Sequence, residues 1–333
     1  MSWTQPRRGI ALREVILIVG MAAILLMLLL LWLGRTQGDS SRIICERRQQ
    51  QTAAAMMQYE VLHGYYPGYK NLQSENADGE RQPTGWVFGL LPLLDSQTHE
   101  WEEMSASELR ELAEDPQAER PYEELFEDHG PTGADTTRGT PAQQRILELI
   151  CPDDPEKRDP ATANPLCWVV NTGLPDADEY GEFPADWTAN GMFENQFDPG
   201  AALPPRLTAD WLSNHDGLAT TLMLTENADA GAWTDFEEAQ VGFVWVAELE
   251  NGFPSRGGRL LAINEQVGAG DGQLRFARPA SYHVGGVNAV YASGRTQFLS
   301  ADIDYLVFTQ LLTSDGENAR LPGSETPVPQ VYR

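Results

Sequence analysis

The chain has 333 residues, 41% of them apolar, and its 49 acidic and 23 basic residues give a formal net charge of −26. This apolar fraction is enough for a folded core, so the composition excludes a wholly disordered chain. The charge argues against a nucleic-acid-binding protein, because such a surface repels a phosphate backbone. The three cysteines are too few for a disulfide-dense mini-protein, and no CxxC pair for zinc is present.

The first feature in chain order is an apolar run over residues 15–33, which contains no charged side chain. As a helix it would be about 28 Å long, close to the roughly 30 Å of a bilayer's hydrocarbon layer. The run exceeds the roughly 7–15 apolar residues of a signal peptide, so we expect a retained span in preference to a cleaved signal peptide. Arg7 and Arg8 precede it, which predicts a cytoplasmic N-terminus and an exported remainder.

Glu14 at the start of this run is a candidate functional residue, because an ionisable group beside a span is costly. The string from Arg7 to Glu14, followed by the apolar run, resembles the type IV prepilin signal. The resemblance implies cleavage between Gly9 and Ile10, N-methylation of Ile10, and assembly through Glu14, the fifth mature residue. The carboxylate would neutralise the new α-amine of a neighbouring copy. Arg13 stands where that family normally has an apolar residue, and an ordinary signal anchor is the alternative.

The helix is expected to continue beyond the apolar run and to end at Gly64, with Pro67 following. Its continuation is indicated by mainly apolar residues at spacings of three and four, which include Cys45, Met56, Tyr59 and Leu62. The predicted domains are a leader (1–9), the transmembrane and amphipathic helix (10–64) and an exported head (65–333). The head contains an acidic insert at about 95–140, which we expect to be a solvated surface segment rather than a cation site.

Short β-prone runs follow in the head, at residues 167–171, 219–224, 242–249, 288–291 and 296–299. They predict an α+β fold of the pilin-like kind, in which a long N-terminal helix, membrane-spanning in its first half, packs on a mostly antiparallel sheet. Ser293 and Gly294 lie between the last two runs and predict a hairpin. Ser293 is a poor first residue for a type I′ turn, so a looser or different turn is expected.

Several strings in the head resemble one family: the pseudopilin-like, planctomycete-type proteins, similar to the type II secretion G protein, with a prepilin signal and a C-terminal His-x9-Asp-Gly tail. The strings are residues 85–94, which look like a Trp-rich strand, then Cys151-Pro152-Asp153-Asp154-Pro155, residues 169–173, Thr225-Glu226, and His283 followed by Ser293-Gly294. Two positions depart from the family pattern: Asp153 replaces a serine and Ser293 replaces an aspartate.

The resemblance also bears on the cysteines and on the tail. Cys45 and Cys151 stand at family positions, which implies a disulfide between them, with Cys151–Cys167 as the alternative pairing. His283 has two interpretations, a structural element beside tightly packed glycines or a sorting and recognition element. Both stay open from the sequence.

A search for catalytic or metal-binding patterns finds little. Asp176 and Asp178 begin like a calcium loop, but Tyr180 and Trp187 stand where later ligands are needed, so they form only a weak calcium candidate. No HExxH, GxSxG or P-loop string occurs, and the five histidines form no i,i+4 pair. We therefore expect no catalytic residue, no metal site and no cofactor.

Together these patterns predict a pseudopilin-like, membrane-anchored assembly subunit of a type IV pilus-like or type II secretion-like system, and not an enzyme. The expected location is the inner membrane, single-pass, with the head in the periplasm or at the cell surface. The expected partners are the membrane, a prepilin peptidase and other pilin-like subunits or further copies, with no nucleic acid. The alternative is a membrane-tethered exported ligand-binding protein or enzyme.

Overall fold

The computed structural model describes residues 12–75, 81–94, 145–174, 188–197, 206–245, 248–250, 253–255, 262–270 and 272–319. The chain forms two compact units, Met1–Ile43 and Ile44–Arg333. The predicted leader with Gly9 and Ile10, the acidic insert from residue 95 to residue 140, and the calcium candidates Asp176 and Asp178 lie outside the described residues. The predicted domain boundaries stay predictions.

The described chain contains both helices and strands throughout its length. The helices are α1 (Leu12–His63), α2 (Trp86–Leu90), α3 (Pro155–Arg158), α4 (Ala209–Asn214), α5 (Glu238–Val241) and α6 (Tyr305–Leu312), with 3₁₀ turns at Leu147–Leu149 and Leu274–Phe276. The strands are β1 (Lys70–Glu75), β2 (Arg81–Gly85), β3 (Trp168–Gly173), β4 (Leu222–Glu226), β5 (Gly242–Val244), β6 (Glu248–Glu250), β7 (Phe253–Ser255), β8 (Gly286–Tyr291) and β9 (Thr296–Ser300).

A five-stranded sheet with the order β5-β3-β4-β8-β9 forms the centre of the second unit. β5 pairs with β3 in parallel, and the other neighbours are antiparallel. Strands β3, β4 and β8 are buried along their whole length, since every residue in them is buried. This explains the successive apolar residues at 168–170, 222–224 and 289–291, because a strand covered on both faces has no solvent side to alternate with.

The predicted fold class is wrong. The structure is mixed α/β, with seven short helical segments after α1 and a five-stranded sheet that contains a parallel pair among the described residues. The physical reason lies in the connection to β5. The short helix α5 precedes β5, which then pairs with the edge of β3. An alternating pattern in the sequence predicts a strand, but it does not predict which strand will be its neighbour or whether the two run in parallel.

The predicted membrane span and location are corrected as well. Among the residues that the structure describes, no helix meets the length and hydropathy needed to cross a bilayer. The predicted single-pass location, with a cytoplasmic N-terminus and an exported head, depended on that span and is withdrawn with it.

Two predicted strands also differ from the structure. The Trp-rich string forms the short helix α2, in which Trp86, Val87 and Leu90 are buried. The run 242–249 is interrupted, because β5 ends at Val244 and β6 begins at Glu248. Continuous apolar runs of this length suit a buried helix and a buried strand equally well, so periodicity alone does not distinguish them.

Helix α1 ends immediately before the predicted C-cap glycine. Gly64 has a φ of +80°, and its N–H donates to the Glu60 carbonyl oxygen at 2.7 Å. Only glycine adopts this left-handed conformation without steric cost, which is why the helix ends there. From Ile44 onward, α1 packs on the sheet through buried residues that include Cys45, Ala53 and Met56.

Polar contacts fix this part of α1 in register with the sheet. The Gln49 side-chain amide donates to the Asn288 carbonyl oxygen in β8 at 3.2 Å. Thr296 in β9 accepts from Gln50 at 2.9 Å and donates to the Glu46 carboxylate at 2.7 Å. These contacts hold residues 46–50 of α1 beside β8 and β9.

Candidate functional site

His283 lies buried between two carboxylates. Its Nδ1 is 3.1 Å from Asp153 Oδ2 and its Nε2 is 3.0 Å from Glu226 Oε1. The side chain is only 3% exposed, and that of Glu226 is 2% exposed. Carboxylates only accept hydrogen bonds, so a ring with a proton on each nitrogen satisfies both contacts at once. We call His283, Asp153, Glu226 and the Cys45–Cys151 disulfide beside them the His283 cluster.

Glu226 is placed at the end of β4 by the neighbouring strand β8. Its Oε2 accepts the Asn288 backbone N–H at 2.7 Å, and its Oε1 accepts from the Asn288 side-chain amide at 3.1 Å. Hydrogen bonds of this kind offset the cost of burying a charged carboxylate. The sheet thus holds Glu226 in one orientation, with Oε1 directed at the histidine.

A disulfide joins Cys45 of α1 to Cys151, which precedes α3. This is the pair that the family resemblance implies, and Cys167 is a free, buried thiol. The Cys151 N–H donates to the Cys167 sulfur at 3.1 Å, and burial raises the pKa of the Cys167 thiol. The Cys151 sulfur also lies 3.6 Å from His283 Nε2, so the disulfide forms one wall of the cluster.

Asp153 and Asp154 are adjacent but have different roles. Asp153 contacts the histidine, whereas Asp154 is the N-cap of α3. Asp154 accepts the backbone N–H groups of Glu156 at 3.0 Å and Lys157 at 2.9 Å. Pro155 then occupies the first helical turn, where its missing N–H costs nothing. The Cys-Pro-Asp-Asp-Pro string is therefore a helix start that also delivers a carboxylate to His283.

A narrow cavity borders the cluster, and its interior is about the size of one water molecule. It is therefore far smaller than a small-molecule binding site. Its lining comes from the segments around the cluster, namely Cys151, Asp154, Cys167, Glu226, Ala228, Ala280, Ser281 and Tyr282.

A family model matches residues 42–306, and its description reads protein of unknown function (DUF1559). The match covers well over half of the chain. This chain belongs to the DUF1559 family. No curated protein and no solved structure matches it.

The DUF1559 match contains the whole His283 cluster, from Cys45 to His283, but it begins after the prepilin-like segment. Gly9 and Ile10 lie outside the described residues. The structure places Glu14 within α1. The roles predicted for these three residues therefore stay predictions.

The loop before β8 holds His283 by backbone contacts. The His283 N–H donates to Ser281 Oγ at 3.1 Å, and that hydroxyl donates to the Gly286 carbonyl oxygen at 2.8 Å. Gly285 has a φ of +86°, and a Cβ at Gly286 would collide with the Leu299 carbonyl oxygen. The two glycines are thus required by the loop geometry, which supports the structural interpretation of this part of the tail.

Ser293 and Gly294 form the β8–β9 turn and are not part of the cluster. The Gly294 N–H donates to the Tyr291 carbonyl oxygen at 2.8 Å, and the Tyr291 N–H donates to the Arg295 carbonyl oxygen at 2.9 Å. Gly294 alone in this turn has a positive φ, +79°. This pattern is a type I turn followed by a left-handed glycine, which tolerates serine where a type I′ turn would not.

The sequence places Asp153 and Glu226 in family strings and Asn288 at the start of a β-prone run, but it predicts no common site for them. One signal for a common site was available in the sequence. Three of the strings that resemble one family each carry a polar residue beside a buried strand or a helix start. They converge because β4 and β8 are neighbours in the sheet and the disulfide brings Cys151 to the same end.

Asp154 makes the free energy of unfolding depend on pH. Burial raises its pKa above the ordinary value of 3.8, against the opposing hydrogen bonds from Lys157 and Glu156. The folded state then binds more protons than the unfolded state, so this contribution falls as the pH rises from 3.8 through the raised pKa. Asp154→Asn keeps the capping oxygen without the charge. The unfolding free energy of this variant should therefore not show the decrease with rising pH that Asp154 causes in the wild type.

Urea unfolding of wild type and Asp154→Asn across mildly acid to neutral pH measures the effect. The difference between the two curves should grow in favour of the variant as the pH rises. The control is Asp302→Asn, which changes an exposed carboxylate and should run parallel to wild type. Parallel curves for wild type and Asp154→Asn would contradict the prediction.

Proposed function

We propose that this DUF1559 protein is a pilin-like assembly subunit of a pilus-like or secretion-related system, processed after Gly9, and that it performs no catalysis of its own. The observation that carries the proposal is an exposed apolar surface on α1. Large apolar side chains there are 58–66% exposed, and they are Leu17, Val19, Met21, Ile24, Leu25, Leu26 and Met27.

Such a surface is unfavourable in isolation, because each exposed square ångström of apolar area costs about 25 cal/mol relative to burial. Contiguous apolar patches usually mark interaction surfaces. Copies of the same helix, packed side by side, would cover these side chains with equivalent ones. The proposal therefore assigns α1 to contacts between subunits.

The prepilin-like signal supplies the second part of the proposal. Cleavage after Gly9 would create an α-amine at Ile10, which a prepilin peptidase would methylate. Between neighbouring copies, this amine and the Glu14 carboxylate would neutralise each other, a contact that is strong only away from water. Glu14 would thus select the stagger of one subunit on the next.

The covalent link between Cys45 and Cys151 supports the same role. An assembly subunit must transmit force from its packed helix to the body that it displays. The disulfide ties α1 to the segment before α3, and the Arg48 guanidinium adds a bond to the Ile150 carbonyl oxygen at 2.7 Å. Both contacts hold the part of α1 from Ile44 onward against the rest of the second unit.

The decisive experiment is mass spectrometry of the mature N-terminus in cells that contain a prepilin peptidase. The wild-type chain should begin at N-methylated Ile10, and Gly9→Val should retain its first nine residues. The control is Gly20→Ala, since a Cβ at Gly20 meets nothing within 4 Å. A mature wild-type chain that still begins at Met1 or Ser2 would contradict the proposed cleavage after Gly9.

Glu14→Gln tests the charge contact between subunits. Cross-linking in intact cells should give multimers of the wild-type chain, and this variant should lose most of them, since the amine of each neighbour would then lack its counter-charge. Arg47→Gln, which changes an exposed charge on the same helix, should cross-link as wild type does. Multimers that are unchanged in Glu14→Gln would contradict the mechanism.

A further inference from the structure

We propose that the His283 cluster becomes a zinc site when its disulfide is reduced, with Cys45, Cys151, Glu226 and His283 as the four ligands. The sulfur, carboxylate and imidazole atoms of these side chains all lie within 4.8 Å of one another. This is a second property of the protein, independent of assembly through α1.

The distances match a tetrahedral ion. Ligands at normal zinc distances place nitrogen and sulfur about 3.6 Å apart, and nitrogen and oxygen about 3.3 Å apart. His283 Nε2 lies 3.6 Å from the Cys151 sulfur and 3.0 Å from Glu226 Oε1. These two distances from His283 Nε2 are close to the edges of a zinc tetrahedron while the disulfide is intact, and the set as a whole lies within 4.8 Å. The Cys45 sulfur provides the fourth corner once the bond between the sulfurs is broken.

The surroundings orient the histidine as zinc sites do. Asp153 contacts Nδ1, which leaves Nε2 directed at Glu226 Oε1. Two acceptor atoms so close together repel each other unless a proton or a cation lies between them. In the reduced cluster the ion can lie between these two atoms and bind both. A carboxylate on the far nitrogen is the usual partner of a zinc-bound histidine.

Burial and ligand type indicate zinc in a structural role. Cys45 is 0% exposed, Glu226 2%, Cys151 5% and His283 6%. A closed set of four ligands leaves no open position for substrate, as in structural zinc sites. Two thiolates and an imidazole favour zinc over the hard ions magnesium and calcium, which take oxygen ligands.

The chemistry balances with a dithiol reductant. The dithiol donates two electrons and two protons to the Cys45–Cys151 bond, which yields two thiols, and the dithiol itself becomes a cyclic disulfide. The divalent ion then binds both sulfurs as thiolates and His283 through a deprotonated Nε2, so the two thiol protons and any proton on Nε2 pass to solvent. After the ion is removed, a small-molecule disulfide can accept two electrons and two protons from the two thiols, which restores the Cys45–Cys151 bond and leaves the small molecule as thiols.

Cobalt titration of the full chain tests the site, because Co²⁺ replaces zinc and shows a thiolate charge-transfer band and tetrahedral d–d bands. The reduced wild-type chain should develop both, and excess Zn²⁺ should remove them. The oxidised chain should develop neither. Denaturant unfolding of the reduced chain should also shift to higher denaturant when Zn²⁺ is present, since an ion that binds the folded state stabilises it.

Variants separate this site from chance binding to cysteines. Glu226→Gln and His283→Gln should each weaken cobalt binding at least tenfold and alter the d–d bands. Asp153→Ala, which removes only the contact on Nδ1, should weaken binding about 10–100-fold. Cys167→Ala is the matched control, because its thiol is close by but outside the ligand set, and it should bind as wild type does.

Two results would overturn the proposal. One is a reduced wild-type chain, folded or not, that develops no thiolate charge-transfer band at saturating cobalt. The other is a band that survives unchanged in Glu226→Gln and His283→Gln, which would assign the ion to the cysteines alone. Neither result affects processing at Ile10, so failure here is distinguishable from failure of the assembly role.

Discussion

The double variant Cys45→Ser, Cys151→Ser should lose about 4 kcal/mol of unfolding free energy, since disulfides that close loops of about 100 residues stabilise by this amount. The sequence separation is 106 residues, so the unfolded chain gains much conformational freedom when the bond is absent. The folded state also loses the covalent tie between α1 and the segment that carries Asp153. Among single structural features of the described residues, this bond should have one of the two largest effects.

Guanidinium unfolding, followed by the fluorescence of the buried tryptophans, measures this loss. Adding a reductant and a chelator to wild type should lower its stability to the level of the double variant and leave the variant unchanged. Cys167→Ala removes the remaining thiol without touching the bond and should cost about 1 kcal/mol. If the reductant does not change the unfolding free energy of the wild type, the Cys45–Cys151 bond is not formed.

Asp229→Ala should cost about 3–5 kcal/mol, because it leaves a buried guanidinium without its counter-charge. Asp229 Oδ2 lies 2.8 Å from Arg278 Nη1, and the two side chains are 1% and 2% exposed. The pair also holds the loop that follows β7, since Asp229 accepts the Gly270 N–H at 2.8 Å and Arg278 donates to the Glu265 carbonyl oxygen.

This loop supports the His283 cluster through Asn264. The Asn264 side chain accepts the Ser281 N–H at 2.7 Å and donates to the Gly286 carbonyl oxygen at 3.0 Å. Asp229→Ala should therefore speed hydrogen exchange at the Ser281 amide as well as lower global stability. The exchange rate distinguishes a local effect on the loop from general unfolding.

Two further variants complete this test. Asp229→Leu combined with Arg278→Met removes both charges and should recover most of the stability, because buried ion pairs add little over well-packed apolar groups. Asp302→Ala removes an exposed carboxylate and should stay within about 0.5 kcal/mol of wild type. An Asp229→Ala loss below about 1 kcal/mol would show that Arg278 reaches water.

Local signals in the sequence predicted local structure well. Gly64 and Pro67 mark the end of α1 because a left-handed glycine and a residue without an N–H act on the few residues around them. The β8–β9 hairpin follows from two β-prone runs separated by Ser293 and Gly294. These features depend on backbone geometry within about four residues, which a sequence pattern records directly.

Predictions about partners between distant segments were less successful. The α+β class is wrong because β5 joins β3 in parallel, and a β-prone run does not specify its neighbour. The Trp-rich string became α2 because Trp86 and Leu90 find burial as a helix against the core. In both cases the free energy of packing decided between local conformations of similar intrinsic stability.

By itself, the sequence determined the acidic character, the end of α1, the final hairpin and, through resemblance, the pairing of Cys45 with Cys151. Only the tertiary structure decided that Asp153, Glu226 and His283 form one buried cluster beside that disulfide. The reason is that chemistry at such a cluster depends on distances of about 3 Å between side chains from remote segments. Those distances arise from sheet order and packing, which no short-range pattern encodes.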